Sequence, residues 1–571
     1  MPQDTKKTDI FKLYESGKNY NIRAFEQFDY YDNIDANYAF YQGDQWRNVM
    51  SDELPKPVIN ILKRVLGFHI ANLNTDDVNV LFEPLENNFD LIEGEEVPIE
   101  IQGSELATAE VNNILEKYNF SNRLRDISTD MGITGDGAMH FRFDTTKKPF
   151  RGNDDIEGEI VMEMVDGANV MFGNPNISSV ERQPYVLVIG RDLVRNLKEE
   201  AKEHNSGDVN LITTDKDDNY QSGDQGDQEL DAKGFEKALY IIKYHRGKDG
   251  KIRMSKSTRT AKIFKNINTD LENYPLAWVN WEKQKNTYHG RGVITGLIPN
   301  QIAINKMFAM VIYHQMMGAF PNRIIDGDRI PYLSNEIGSD IIVNGLLPNE
   351  SVSNLVKNLE PTSMSAQITR TIEMLMDFTM QMMGLTDAGA GNINNPENTS
   401  AIVSVQKASI IPLQNVKANI NEFVEDIARI LLDMMGTYYG ERPVSFETPD
   451  GRSLVDFDFG NLKNLWLKQK VEVGNVSPYS EIAQEQLLGN LLQTGSIDLE
   501  AFLERIPNTV FPKADELLQK MKGNTEDDQA RQAEFEFIAN FMDQLGLPPE
   551  LMQQFEQGLA QLQEQQQAPT E

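Results

Sequence analysis

The histidines and the cysteine count decide first whether a metal site or a nucleophile can be predicted. The six histidines are widely scattered along the chain: His69, His140, His204, His245, His289 and His314. None is spaced as a metal-binding pair on a helix, and none belongs to a His-Glu-x-x-His motif. The chain has 0 cysteines, which excludes disulfides, thiolate catalysis and cysteine-ligated metals. These residue types therefore predict no metal and no cofactor.

Three closely spaced glycines, Gly132, Gly135 and Gly137, superficially match a phosphate-binding loop. Such a loop continues with Gly-Lys-Ser or Gly-Lys-Thr and opens a helix. Here that ending is absent, and residues 138–143 have the pattern of a strand. We therefore reject a nucleotide-phosphate site at these glycines. The sequence also lacks a nucleophile elbow and the protein-kinase motif set.

An acidic, glycine-rich stretch resembles a calcium-binding loop through the alternation of Asp215, Asp217 and Asn219. A calcium loop needs a turn glycine next and a bidentate glutamate at its end. Tyr220 and Gly226 occupy those two positions, so an acidic surface loop is the better interpretation. Carboxylates are plentiful elsewhere, and a site built only from Asp and Glu stays open, but no residue is singled out.

Charge and length limit the class of protein. The chain has 571 residues and a net charge of −33, from 87 Asp and Glu against 54 Lys and Arg. This length predicts several domains. A surface that grips nucleic acid needs Lys and Arg for phosphate contacts, and this surface would repel a polyanion. Solubility alone also explains an acidic charge. No apolar run reaches membrane-spanning length or forms a signal peptide, so we expect a protein soluble in the cytoplasm at some stage.

The elements that stand out lie between Gly290 and Ser400. A first helix is predicted from Pro299 to Gly318, because proline suits a first turn and Pro321 stops the helix. A second helix is predicted from Ser363 to Gly384. Between them, Asn344-Gly345 gives a hairpin signal, and after them a polar, glycine-rich loop runs from Thr386 to Ser400.

The two helices differ in their apolar pattern. The second has an apolar face formed by Ile368, Ile372, Leu375, Met376, Thr379, Met380 and Met383. Its opposite face carries Arg370, Glu373, Asp377 and Gln381. The first helix is apolar nearly all round and is predicted to pack on several neighbours. Its many methionines fit either repeated subunit contacts or ordinary core filling.

The rest of the chain predicts an α+β protein. An aromatic-rich helical arm extends to about residue 39, and helices follow at 59–73, 107–118 and 122–133. Residues from about 135 to 285 contain antiparallel strands. A long helix is predicted from Ser400 to Met435, with a kink at Pro412. A hairpin then pairs residues 444–446 with 454–459.

Several of these segments together resemble the portal protein of tailed double-stranded-DNA bacteriophages, in particular the larger portals of short-tailed phages. The most specific segment is Tyr41-Gln42-Gly43-Asp44-Gln45-Trp46, followed by Pro57-Val58-Ile59-Asn60. The others are Gly290-Arg291-Gly292 ahead of the helix pair, Gly384-Leu385-Thr386, the helix with Pro412, and the stretch from Thr494 to Leu503. The resemblance extends from about residue 20 to 520 and concerns architecture more than an invariant motif.

The resemblance implies a division of the chain into the parts of a portal. Residues 1–290 would form an α+β wing with its helical arm, 291–320 and 363–385 two stem helices, and 321–362 a small α/β clip. Residues 386–399 would be a tunnel loop. Residues 400–472 would be a kinked wing helix with a returning hairpin, and 473–571 a helical crown and tail. The acidic insertion near 205–233 departs from the family pattern.

The resemblance also implies a function without catalysis. Portals form a ring, twelve-fold in this family, at one capsid vertex of the virion, and assemble in the host cytoplasm. They act as head–tail connectors in DNA packaging and genome ejection. The implied partners are copies of the chain, the terminase large subunit, tail adaptors, major capsid and scaffolding proteins, and double-stranded DNA bound without sequence specificity. No membrane partner and no cofactor are implied.

Site residues follow from the same resemblance. The channel loop would contain Asp387, Ala388, Gly389, Ala390, Gly391, Asn392, Asn394 and Asn395. The clip surface that docks motor and adaptors would contain Asp326, Asp328, Arg329, Asn344 and Gly345. The polar stripe Glu373, Asp377 and Gln381 would line the channel, where carboxylates let DNA slide without phosphate contacts. The same stripe could instead face the adjacent subunit or bulk solvent.

Two other functions stay open at this point. One is an internal scaffold or connector protein that assembles without conducting DNA. The other is a metal-dependent nuclease that uses carboxylates alone. Closed rings with a central hole would favour the portal over both.

Overall fold

The computed structural model describes most of the chain up to residue 473. Its continuous segments are 7–23, 29–51, 54–73, 78–84, 99–148, 157–215, 235–319, 364–385, 411–448, 451–464 and 467–473. Shorter pieces are 323–325, 328, 330, 343–345, 351, 356–358, 488, 491–492 and 502. The chain divides into two compact units, Met1–Asn475 and Val476–Glu571. In the second unit the structure describes residues 488, 491, 492 and 502, and all four are helical.

Nine α-helices lie in the described part of the first unit. They are α1 Asp9–Arg23, α2 Tyr30–Gln42, α3 Ile61–Leu73, α4 Ile99–Lys117, α5 Phe120–Thr134, α6 Val194–Glu203, α7 Val293–Ala319, α8 Ala366–Met382 and α9 Gln414–Tyr438. Strands in the same unit pair antiparallel in several small sheets, so the α+β prediction is confirmed. Within the described part of the chain, no helix combines the length and apolar character of a membrane span.

The strands form two larger sheets and three pairs. The first seven are β1 Val78–Pro84, β2 Asp136–Asp144, β3 Glu159–Val165, β4 Val170–Phe172, β5 Val186–Leu193, β6 Lys237–Arg246 and β7 Ile252–Ser257. The others are β8 Lys262–Asn268, β9 Leu276–Asn280, β10 Arg323–Ile325, β11 Val356–Asn358, β12 Glu441–Thr448, β13 Gly451–Asp458 and β14 Leu467–Val473. Their orders are β3-β2-β9, β4-β5-β6-β7-β8, β1-β14, β10-β11 and β12-β13.

One hydrophobic core joins most of these elements. Helices α3, α4, α5 and α9 and the first half of α7 pack around β2 and β9, and large side chains such as Phe141 and Phe423 are fully buried there. A smaller cluster lies between α6 and β8. Helix α1 covers one side of the five-stranded sheet through Phe11 and Tyr14. Aromatic residues of the helical arm therefore pack against this sheet.

Helix α7 begins at Val293, six residues before the predicted start at Pro299, so Pro299 lies inside the helix. An interior proline costs about 3 kcal/mol or more. The earlier start buries Ile294 and Leu297 in the core, and each such burial stabilises by roughly 1.5–3 kcal/mol. Packing thus offsets the proline, which local propensity alone could not predict. Helix α4 likewise begins at Ile99, ahead of the predicted 107.

Pro412 lies in a short 3-10 turn, Ile411–Leu413, that leads directly into α9. The preceding part of the predicted helix, residues 400–410, lies outside the described residues, and the predicted kink therefore stays a prediction. The predicted hairpin is confirmed as β12–β13, with Thr448 opposite Gly451 at its turn.

Candidate functional site

Helices α7 and α8 form an antiparallel pair, here called the helix pair. The amide nitrogen Nδ2 of Asn300, near the start of α7, donates to Oγ1 of Thr379, near the end of α8, at 3.1 Å. At the other end, β10 follows α7 and pairs with β11, which precedes α8. The segment between the helices thus returns the chain to the same end at which it left. This is the helix–excursion–helix layout that the sequence predicted.

The helix pair projects from the core. The first half of α7 buries Ile294, Leu297 and Ile304, whereas residues 315–319 at its end are all exposed. In α8 the order is reversed, since residues 366–371 are exposed and the buried positions come later. Ser365 caps the exposed start of α8, because its Oγ accepts from the backbone N–H of Gln367 at 3.3 Å.

The polar stripe of α8 lies where the sequence placed it. Glu373, Asp377 and Gln381 are all exposed, and they face away from the buried Ile372 and Thr379. Glu373 and Asp377 thus lie on a side that water can reach. The stripe can therefore stay solvated in either position, on the wall of a water-filled channel or on the outside of a ring.

A second row of side chains on α8 was missed by the sequence reasoning. Met374, Phe378 and Met382 follow one another at four-residue spacing and are 45%, 55% and 68% exposed. They lie about 100° round the helix from the polar stripe, because each is one residue further along. We call these three residues the α8 ridge. Their four-residue spacing was the available signal, but the sequence prediction considered only the apolar face that packs on the same chain.

Helix α7 presents an exposed apolar row of its own. Met310, Tyr313 and Met317 follow at helical spacing and are exposed, as is Met316. The sequence predicted that this helix would pack on several sides. Within the described part of one chain, the core covers the first half of α7, and the side chains of the second half stay largely accessible. Two separate rows of large apolar side chains are thus open on one projecting element, at different heights along it.

The base of α7 is held by the turn after α2 and by the start of α3. Nδ2 of Asn305 donates to Oε1 of Gln45 at 2.6 Å, and Nε2 of Gln301 donates to Oδ1 of Asn305 at 3.0 Å. Gln301 also bonds the backbone of Ile59 and Ile61. A chain of buried amides therefore fixes the turn after α2 and the start of α3 against α7.

The same segment is internally closed. The backbone N–H of Gly43 caps α2 in the left-handed conformation, with φ +100°. The indole N–H of Trp46 donates to the carbonyl of Pro57 at 2.8 Å, and Nδ2 of Asn60 donates to the carbonyl of Tyr41 at 2.8 Å. Gly43, Trp46 and Asn60 thus hold the segment in shape, and Gln45 ties it to α7.

A second buried network lies where α7 begins. Oδ2 of Asp136 accepts from the hydroxyl of Tyr30 at 2.6 Å and contacts Nδ1 of His289 at 2.7 Å. Oδ1 accepts from Nδ2 of Asn280 at 2.7 Å and from the backbone N–H of Gly290 at 2.6 Å. All five residues are buried except for traces of surface. We call them the Asp136 cluster; it joins α2, β2, β9 and the start of α7.

His289 extends this network to the first helix. Its Nε2 lies 3.0 Å from Oδ1 of Asn21 in α1, and its ring contacts the rings of Tyr30 and Tyr288 at 3.9 Å between centroids. The side chain is fully buried. An Asp–His pair is a familiar catalytic element, but here solvent does not reach it, so the geometry suits a structural role.

The glycines that resemble a phosphate loop allow two backbones to meet. A Cβ on Gly135 would lie 2.6 Å from the carbonyl oxygen of Gly290, and a Cβ on Gly292 would lie 2.6 Å from that of Ile133. Both are shorter than real Cβ contacts. Gly135 also has φ +105°, which favours glycine. The Gly290-Arg291-Gly292 segment therefore packs directly on the turn after α5, which agrees with the rejection of a phosphate site.

The other residues with candidate chemistry have structural partners. Both carboxylate oxygens of Asp215 lie near the backbone N–H of Leu239, at 3.2 and 3.3 Å; Asp217 and Asn219 lie outside the described residues. His140 contacts the hydroxyl of Tyr244 at 2.9 Å, and burial lowers the pKa of His140 to about 4. Among the described residues, no group of three or more His, Asp or Glu is arranged to hold a metal.

Part of the predicted site falls outside the described residues. This holds for the channel-loop residues, Asp387, Ala388, Gly389, Ala390, Gly391, Asn392, Asn394 and Asn395, and for Asp326 and Arg329 in the clip. The remaining clip residues, Asp328, Asn344 and Gly345, are exposed. Gly345 has φ +71°, which suits a turn. The hairpin predicted around it lies largely outside the described residues.

Comparison with known proteins adds no assignment. A scan against protein-family models and a search of curated proteins both found no match.

Proposed function

We propose that the chain is a phage-type portal protein, a subunit of a closed ring around a DNA channel. In this proposal α7 and α8 are the stem, and the segment around β10 and β11 is the clip. The kinked helix that ends in α9 and the β12–β13 hairpin return to the wing. Residues after 473 form the crown. The proposal rests on the resemblance of the sequence and on the geometry of the helix pair.

The observation that carries the proposal is the uncovered apolar surface of the helix pair. Met310, Tyr313 and Met317 on α7 and the α8 ridge are open to solvent in a single chain. Large contiguous apolar patches on a soluble protein mark association surfaces. Two different patches on one element allow a head-to-tail contact, which closes into a ring when the rotation between copies fits a whole turn. Copies of this chain are therefore the expected partners.

Charge supports a channel through which DNA slides. The polar stripe of α8 contains Glu373 and Asp377, and the whole chain has a net charge of −33. A wall of this sign offers DNA no cationic contacts and no gain from released counterions, so the duplex is not trapped. We place the stripe on the channel wall, and residues 386–399 as the loop that reaches towards the DNA.

The remaining partners in the proposal belong to the assembly and loading of a virion. A terminase large subunit would dock at the clip and supply the ATP chemistry, and tail adaptors would replace it later. Major capsid and scaffolding proteins would surround the wing. The chain itself is proposed to act without catalysis, as a structural ring at one capsid vertex during packaging and ejection.

Electron microscopy of the purified full chain tests the proposal directly. We expect closed rings with a central hole wide enough for a DNA duplex, and light scattering should give one defined mass. Monomers or open filaments at every protein and salt concentration would contradict it. Rings without a hole would favour the connector alternative. Metal-dependent DNA cleavage that survives repurification and is lost on carboxylate substitution would favour the nuclease.

A further inference from the structure

A groove lies at the base of the helix pair, beside the portal-like turn. Its volume is about 620 Å³, and it is bounded by α2, the turn 44–49 and α7. Apolar, polar and charged side chains all line it; those used below are Ala36, Phe40, Trp46, Arg47, Ile302 and Lys306. We call it the base groove. Pockets of about 300–1,000 Å³ enclose drug-sized molecules, so this one has room for several large side chains.

The α8 ridge lies at the same level of the helix pair as the base groove. The hydrogen bond between Asn300 and Thr379 fixes the register of the two antiparallel helices. Counting from it at about 1.5 Å per residue, Phe378 is level with residue 301 and Met374 with residue 305. The α7 residues that line the groove are Ile302, Asn305 and Lys306. Ridge and groove therefore occupy the same height along the pair.

Rotation about a ring axis preserves height along that axis. If the helix pair runs along the channel, the ridge of one copy arrives at the level of the groove of the next. The two surfaces also match in shape and partly in kind, since the ridge is convex and apolar and the concave groove contains the apolar side chains of Phe40, Trp46 and Ile302. Both are open in a single chain, and each side chain of the ridge is at least 45% exposed.

We propose that the α8 ridge of one copy fills the base groove of the neighbouring copy. This inference rests on the proposed ring and names the contact that closes it. Phe378 would insert between Phe40, Trp46 and Ile302, and Met374 and Met382 would pack on either side. Because ridge and groove are different surfaces of the same chain, the contact is head-to-tail and repeats around a ring.

Charge does not select this contact. The groove lining carries both signs, Asp32, Asp35 and Asp44 beside Arg47 and Lys306. The contact therefore depends on apolar packing between ridge and groove.

Cysteine cross-linking tests the contact, because the natural chain has 0 cysteines. The test variant carries Ala36→Cys and Phe378→Cys, treated with a short bismaleimide linker. We expect a ladder of covalent oligomers on a denaturing gel that reaches the full ring. The matched control carries Ala36→Cys and Gln367→Cys, whose second cysteine lies at the exposed start of α8, about 16 Å along the helix from Phe378, and should give no ladder. Each single variant should give none.

A second pair of cysteines controls for a packing defect caused by loss of the Phe378 ring. Ala36→Cys with Met374→Cys keeps Phe378 and should give the same ladder. If microscopy shows closed rings but neither cysteine pair gives a ladder, the proposed contact is wrong and the proposed ring is still supported. A ladder without closed rings would support the contact and contradict the ring. An equal ladder from the Gln367→Cys control, or neither ring nor ladder, would overturn the contact.

Discussion

Replacing single members of the Asp136 cluster should loosen the junction between α2, the sheet β3-β2-β9 and the start of α7. Tyr30→Phe removes one hydrogen bond of 2.6 Å to the carboxylate. Asp136→Asn keeps one acceptor oxygen but turns an NH₂ group towards Tyr30 and His289, two of its four partners. Tyr30→Phe therefore removes one charge-assisted bond, whereas Asp136→Asn removes two and leaves the other two without their charged acceptor.

The expected magnitudes follow from these counts. A hydrogen bond to a charged group contributes about 1.5–3 kcal/mol, so Tyr30→Phe should cost about 2 kcal/mol and Asp136→Asn, which loses at least two such bonds, about 3–6 kcal/mol. Both are large against a typical unfolding free energy of about 5–15 kcal/mol. The matched control is Glu422→Gln, which breaks the ion pair with Lys283 at 2.6 Å. Because both side chains of that pair are largely in solvent, its loss should cost under about 1 kcal/mol.

Urea unfolding followed by tryptophan fluorescence gives the measurement, since the ring of Trp278 lies 6.4 Å from that of His289. With a slope of about 3 kcal/mol/M, a loss of about 2 kcal/mol should lower the midpoint by roughly 0.7 M. Hydrogen exchange at Gly290 supplies a local readout, because its N–H bonds to Asp136. If Asp136→Asn and Glu422→Gln shift the midpoint equally and Gly290 stays protected, the cluster does not hold the junction.

Three further predictions concern pH, assembly and the channel loop. Burial, and then the neighbouring Asp166 and Asp126, raise the pKa of Asp130 from 3.8 to about 7. Between these two pH values the folded state binds more protons than the unfolded state, so stability falls as the pH rises through them. Asp130→Asn should therefore raise the melting temperature at pH 8 but not at pH 4. Phe378→Asp should abolish rings in sedimentation velocity because it charges the α8 ridge, whereas Asp377→Asn should keep them; equal behaviour of the two would contradict a contact through the ridge. Deleting residues 388–395 should leave rings intact but impair DNA packaging or retention, and loss of rings would mean that this segment is a subunit contact.

The sequence predicted the helix pair because periodicity is a local signal. The spacing of Ile372 and Thr379 marked the buried side of α8, and Glu373, Asp377 and Gln381 marked the polar side correctly. The α8 ridge escaped because apolar residues are usually assigned to the core of the same chain. Whether Phe378 serves the core depends on what covers it, and one chain's sequence does not contain that information.

Contacts between distant segments could not be predicted in the same way. Asp136 and His289 are separated by 153 positions, and each alone is an ordinary polar residue next to a glycine. The pairing of Val78 with Val473 joins two strands that flank most of the chain. Such contacts are set by tertiary packing, which can override local preference. The early start of α7 at Val293 has the same origin, since it depends on the core that receives Ile294 and Leu297.

The two segments that carry the portal resemblance most strongly both meet α7 at its base. Gln45 reaches Asn305 through one amide hydrogen bond, and Gly292 packs on the backbone of Ile133 just before the helix begins. These contacts hold the first half of α7, while its second half projects with its apolar side chains uncovered. A projecting pair can meet a neighbouring copy in one register only if its base is rigid, because small tilts there grow along the length of the helix. Buried amides and glycine contacts provide that rigidity and leave the exposed apolar rows of the pair uncovered. In the proposed ring, the segment Tyr41–Trp46 and the glycines before α7 would therefore contribute to assembly indirectly, by fixing the direction of the helix pair.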